Sequence, residues 1–155
     1  MQEKLIIRNA KESDIQNIIG LIKELAEFEK LLHLVKITET DMKNVLFGEN
    51  KFVQVLLAEY DGILAGQALF FNNFSTFLGK PGIYLEDLYV KPEFRGKGIG
   101  KALLDKLISI AKEKNFGRVE WCVLDWNKSA IDFYKSIGAV ELEEWKIFRL
   151  TSDKF

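Results

Sequence analysis

Apolar residues recur along the chain with two different periods, and the switches between them mark its elements. Lys4 to Arg8 reads as a first strand. Around Ser13 or Asp14 a helix starts, with Ile15, Ile18, Ile19, Ile22, Leu25 and Phe28 along one face. The period is lost over residues 30–37, which read as a loop. Thr38 with Asp41 has the spacing of a capping box for a short second helix that Gly48 stops. Val53 to Tyr60 and Ile63 to Phe71 have strand composition, and Asp61-Gly62 between them is a two-residue hairpin turn. A loop, NNFSTFLGKPG, leads to IYLEDLYV at 83–90, a nearly continuous apolar run of the kind covered on both faces.

Helix 98–115 comes next, with Leu103, Leu104, Leu107 and Ala111 on its apolar stripe and a stop at Gly117. RVEWCVL predicts a further strand, ended by Asp125, Trp126 and Asn127. Ser129 caps a helix that runs through Ile137 to Gly138, and residues 140–151 alternate loosely enough to predict one or two strands. The succession gives a mixed α/β sheet with helices on both faces, and the chain length suits one domain spanning 1–155.

Composition narrows the class. With 48% hydrophobic and 29% charged residues and no run of 18 apolar positions, the chain reads as a cytoplasmic globular protein rather than a membrane one. Its single cysteine, Cys122, lies in the apolar stretch Val119 to Leu124 and is expected to be a small buried hydrophobe. His33 reads as a surface residue, and no residues have metal-ligand spacing. Net charge is −1, yet residues 91–118 carry eight Lys or Arg against three Asp or Glu. That local excess suits a polyanionic cofactor, although a Lys-rich solvated helix face explains most of it. The aromatics sit in apolar strands away from the basic residues, which speaks against a nucleic-acid partner.

The chemistry concentrates in IYLEDLYVKPEFRGKGIGKALL. Glycines at Gly96, Gly98 and Gly100 let peptide N–H groups approach an anion, and the helix that follows aims its unpaired N–H groups and positive dipole end at the same place. The spacing GxGxG fits neither the nucleotide-hydrolase loop nor the dinucleotide fingerprint. In the preceding strand Glu86 and Asp87 are adjacent carboxylates among apolar neighbours, where an unpaired buried charge is costly. Alternation sends them to opposite faces unless a bulge intervenes. Each could equally be a hydrogen-bonded structural carboxylate.

Arg95, Gly98 and Gly100 in the order Arg-x-x-Gly-x-Gly, with LEDLYVKPEFR before and VLDWNKSAIDFYKSIGA after, resemble the GCN5-related N-acetyltransferases (GNAT). LIKELAEFEKL, VLDWN, FYKSIGA and EWKIFRL extend the likeness over nearly the whole chain, towards the diamine and thialysine acetyltransferases. The resemblance implies the GNAT fold, a mixed and mostly antiparallel central sheet, and an acetyl-CoA-dependent enzyme that acetylates a small primary amine. It assigns Leu88, Tyr89, Val90, Arg95, Gly96, Lys97, Gly98, Ile99, Gly100, Lys101, Asn127 and Tyr134 to acetyl-CoA. Glu86 becomes the base, acting through water, and Tyr134 the acid. Phe28, Glu29, Glu86, Asp87 and Trp145 become the amine pocket. The polyamine-acetylating members carry an acidic residue before the central strand, where this chain has Ser75, Thr76, Phe77 and Leu78. That favours a smaller or amino-acid-like amine such as thialysine. The resemblance also implies a homodimer. The alternatives are a protein or peptide N-acetyltransferase and a noncatalytic acyl-CoA-binding module.

Overall fold

Five strands in chain order form the sheet: β1 (Leu5–Asn9), β2 (Val53–Tyr60), β3 (Ile63–Ser75), β4 (Lys80–Val90) and β5 (Val119–Trp121). The first four pair antiparallel and β5 joins β4 in parallel. The computed structural model describes residues 4–155 and has two units, one ending at Cys122 and the other spanning Val123–Phe155. Among the described residues no helix is long and apolar enough to cross a membrane.

The first unit has a core on each sheet face. Leu57, Val55 and Leu69 meet Ile15, Ile18 and Ile19 of α1 (Ile15–Phe28) and Met42 and Leu46 of α2 (Glu39–Phe47). Strand alternation turns Leu56, Ala58, Ala68, Phe70 and Leu85 the other way, towards α3 (Ile99–Glu113) and its buried Ile99, Leu103, Leu104 and Leu107. Helices therefore cover both faces, as the patterning predicted. The Thr38 capping box is present, with Asp41 N–H donating to Thr38 Oγ1 at 3.1 Å and Thr38 N–H to Asp41 Oδ2 at 2.9 Å.

Several boundaries differ from the sequence reading. Residues 72–82 are mostly strand: Asn72 to Ser75 pair with Ile83 to Lys80, leaving only 76–79 as a turn. Asn, Pro and Gly are poor strand formers, but a hairpin already in register extends through them. The strand expected over 118–124 shortens to Val119–Trp121. In the second unit α4 (Lys128–Ser136) is capped by Asn127, whose Oδ1 accepts from Ala130 N–H, rather than by Ser129. No strand forms over 140–151; Trp145, Ile147, Phe148 and Leu150 are exposed. Alternation makes a strand only where an edge accepts it.

Asp14 does not cap α1 with its side chain. Buried at 7% exposure, its carboxylate accepts from Arg8 Nη1 at 2.7 Å and Nη2 at 3.0 Å and from Lys11 N–H at 2.7 Å, while Arg8 Nε donates to Glu59. The Arg8 hydrogen bonds hold the Asp14 carboxyl below the usual carboxylate range despite its burial. Replacing Asp14 by Ala is expected to destabilise the protein by about 3 kcal/mol at pH 7, because the Arg8 cation loses its bidentate partner. A depressed folded pKa stabilises above the unfolded value and is lost as pH falls through the folded one. The gap between wild type and variant in urea unfolding should therefore close below about pH 4.

Candidate active site

The central strand β4 has unequal edges. On one side β3 pairs with it throughout; on the other β5 pairs only with Ile83, Tyr84 and Leu85. From Glu86 to Val90 no strand flanks that second edge among the described residues, so its backbone is left for another hydrogen-bonding partner.

The register with β3 shifts at the same point. Phe70 faces Leu85 and the next residue back, Leu69, faces Asp87, so Glu86 is the extra residue of a bulge. Tyr84 opposes Phe71 and Asp87 opposes Leu69, and those two β3 residues share the α1 face. Without the bulge Tyr84 and Asp87 would lie on opposite faces. Glu86 is exposed, not buried as its apolar neighbours suggested, because the bulge turns it out of the packed layer. Its charge reaches both Tyr84 and Asp87.

Asp87 is the perturbed group. Burial first, then the charges of Glu86 and Glu29, push its carboxyl up to about 6. Glu29, at the end of α1, is itself raised by burial. Three carboxylates from two distant stretches thus influence one place, which suits a cation. Phe28 joins them through Arg95: the guanidinium lies 5.2 Å from the Phe28 ring centre and 5.7 Å from that of Tyr89, and Nε donates to the Val90 carbonyl at 3.1 Å.

The glycine-rich loop leads straight on from this clasp. Gly96 and Gly98 have φ of 79° and 77°, the left-handed region, and Gly98 is the residue before α3. The first-turn amides of Ile99, Gly100 and Lys101 point out of the helix start, the arrangement that binds phosphate oxygens. The basic side chains are turned elsewhere. Lys97 stands 5.0 Å from the Tyr60 ring centre, and Lys101 pairs with Asp105 at 2.7 Å. Ile99 and Tyr89 are buried, and Leu88 and Val90 are half-buried.

In the second unit, Asn127 begins α4 and Tyr134 lies on it with its ring 5.5 Å from Phe133; Trp145 is exposed. The sequence reading missed Tyr84, whose hydroxyl is 3.0 Å from Cys122 Sγ. That contact and burial raise the phenol. Cys122 is exposed, contrary to expectation, because regular pairing ends before it. The signal for Tyr84 was its place two residues before Glu86 on one strand. Among the described residues no His, Cys, Asp and Glu cluster could hold a metal. Two surface hollows, about 390 Å³ beside Glu12 and Lys43 and about 460 Å³ beside Phe47 and Asn72, share no residue with the carboxylates or the glycine loop.

A family model described as "Acetyltransferase (GNAT) family" matches residues 21–139. The chain is 42% identical over 160 residues to thialysine N-epsilon-acetyltransferase of Sus scrofa, covering 96% of this chain and 94% of that one. It is 34% identical to an L-ornithine N5-acetyltransferase of Arabidopsis thaliana, covering 95% and 84%. An integron cassette protein from the mobile metagenome of V. cholerae superposes with a TM-score of 0.79 at 28% identity, covering 97% and 94%.

The electrostatics of the bulge can be read directly. In carboxyl-carbon NMR, Asp87 should titrate with a midpoint near 6, and Glu86→Gln or Glu29→Gln should each lower it, since each removes a neighbouring negative charge.

Proposed function

The chain belongs to the GNAT acetyltransferase family, and on that premise we propose that it transfers the acetyl group of acetyl-CoA to the side-chain amine of a small, amino-acid-like molecule. The observation that carries the reading is the bulge at Glu86, which brings a half-buried carboxylate with a raised pKa and an exposed one together beside the open edge of β4. Relatives named for acetylating thialysine and ornithine support the choice of amine. Since the family match runs from 21 to 139, we read the chain as one acetyltransferase domain.

The residues fit the cofactor. Left-handed Gly98 exposes the first amides of α3 to a diphosphate, and the edge from Glu86 to Tyr89, which no strand pairs among the described residues, offers backbone groups to an extended amide-bearing arm. Acetyl-CoA, when bound, supplies an acetyl group activated as a thioester. Asp87 holds the incoming ammonium, and Glu86, open to solvent, takes its proton through water so that the nitrogen gains a lone pair. An N–H near Leu88 or Val90 would supply a hydrogen bond to the thioester oxygen. Tyr134 Oη would give its proton to the thiolate sulfur that leaves when the amine nitrogen bonds to the acetyl carbon, and Asn127 would assist in holding the cofactor. Phe28, Glu29 and Trp145 border the amine. The enzyme is further read as a cytoplasmic homodimer, which sedimentation would check.

The test is amine-dependent release of free thiol from acetyl-CoA across a panel of amino acids, diamines, aminoglycosides and peptides; a panel in which no small amine raises release above background would overturn the reading. Tyr134→Phe and Glu86→Gln should each lower kcat by about 10²-fold with coenzyme A affinity nearly unchanged. A noncatalytic binding module would show no such loss. Asp87 must be ionised to hold a cation, so kcat/KM should fall as pH drops below about 6. Asp87→Asn should raise the amine KM and remove that acid limb.

A further inference from the structure

Beyond the carboxylates the α1 face of the sheet continues as a half-buried strip. Phe71 and Tyr84, half-buried, lie side by side with ring centres 5.3 Å apart. Tyr84 in turn stands opposite Glu120 of β5, whose charge it feels together with that of Glu86. Glu120 Oε1 receives both Arg118 Nε at 2.8 Å and Asn73 Nδ2 at 3.2 Å. Gly82 makes this arrangement possible: a Cβ there would stand 2.6 Å from Asn73 Oδ1 and 2.8 Å from the Arg118 carbonyl oxygen.

The strip therefore has a polarity sequence: an acidic pole at Glu86 and Asp87, an aromatic middle at Tyr84 and Phe71, and an opposed charge pair at Glu120 and Arg118. A linear aliphatic amine that ends in an α-amino acid has the same sequence of ammonium, methylenes and zwitterion. The lengths agree, since Glu120 lies opposite Tyr84 one strand across and so stands roughly 8 to 11 Å from Asp87, the span of an extended ornithine with a hydrogen bond at each end. The side chains of Arg118 and Glu120 are 45% and 31% exposed, and a pair so open to water is weakly held. Exchanging it for substrate contacts costs little: the α-ammonium takes Glu120 and the α-carboxylate takes Arg118.

We propose that Arg118 and Glu120 form a head-group subsite that selects amino-acid acceptors over diamines of the same length. This rests on the acetyltransferase reading and names its specificity determinant. L-ornithine and putrescine are the matched probes, because they differ only by the α-carboxylate.

Their binding to the full chain saturated with coenzyme A is measured by calorimetry, without turnover, so the subsite can fail while acetyl transfer to other amines stands. Wild type should bind L-ornithine about 10-fold more tightly than putrescine. Arg118→Gln should abolish that ratio while leaving putrescine affinity unchanged, and Arg118→Lys should restore part of it. Glu120→Gln should weaken both ligands by about 10-fold. Melting temperatures within a few degrees of wild type would show the variants folded; should Arg118→Gln not fold, Arg118→Lys alone must still lower the ratio. Equal binding of the two probes by wild type, no binding of L-ornithine, or an unchanged ratio in Arg118→Gln would overturn the proposal.

Discussion

A strand paired on one side along its length and on the other for only three residues is the constraint from which the site follows. The pairing with β3 anchors β4 firmly enough that a bulge at Glu86 does not unravel it, and the short pairing with β5 leaves its far portion free. Backbone groups that a regular sheet would use internally are available to a ligand there. The same portion leads through a single 3-10 turn into the glycine loop, where the first amides of α3 have no partner within the helix. Lys97 and Arg95 meanwhile pack on Tyr60, Phe28 and Tyr89 rather than facing the helix start.

Much of this was legible in the chain because local signals agreed with tertiary ones. The 3.6-residue stripe in Ile15 to Phe28, the Thr38 to Asp41 capping box and the Asp61-Gly62 turn all report structure that nearby residues decide. What was not legible depended on pairing partners. The hairpin runs on through Asn72 to Ser75 because β3 and β4 were already in register, which no propensity at those positions announces. Conversely, residues 140–151 alternate and yet form no strand. At the site, the carboxylates were found from their cost in an apolar run, but the face that Asp87 shares with Tyr84 came from an insertion that period-two reading does not locate. Cys122 was misjudged for the same reason: its neighbours are apolar, but the ladder stops one residue short of it.

The electrostatic design separates two adjacent acids by environment alone. Asp87 loses hydration and sits near Glu86 and Glu29, so its proton is held more tightly, whereas Glu86 on the crest of the bulge keeps its water. A cation arriving between them relieves repulsion that the fold has already accumulated. Asp14 shows the opposite arrangement in the same unit: a carboxylate more deeply enclosed, but met by Arg8 and a backbone amide, remains ionised. Burial beside other carboxylates raises one acid, and burial beside a guanidinium lowers the other.

The exposed thiol of Cys122 offers the experimenter a handle. It is the chain's one sulfhydryl, it stands open to solvent, and it touches the Tyr84 phenol from the sheet face that carries the acids. A maleimide dye coupled there would place one fluorophore per molecule beside the aromatic strip, without entering the packed interior. Its emission would report on the surroundings of the Tyr84 ring, with no engineered cysteine required.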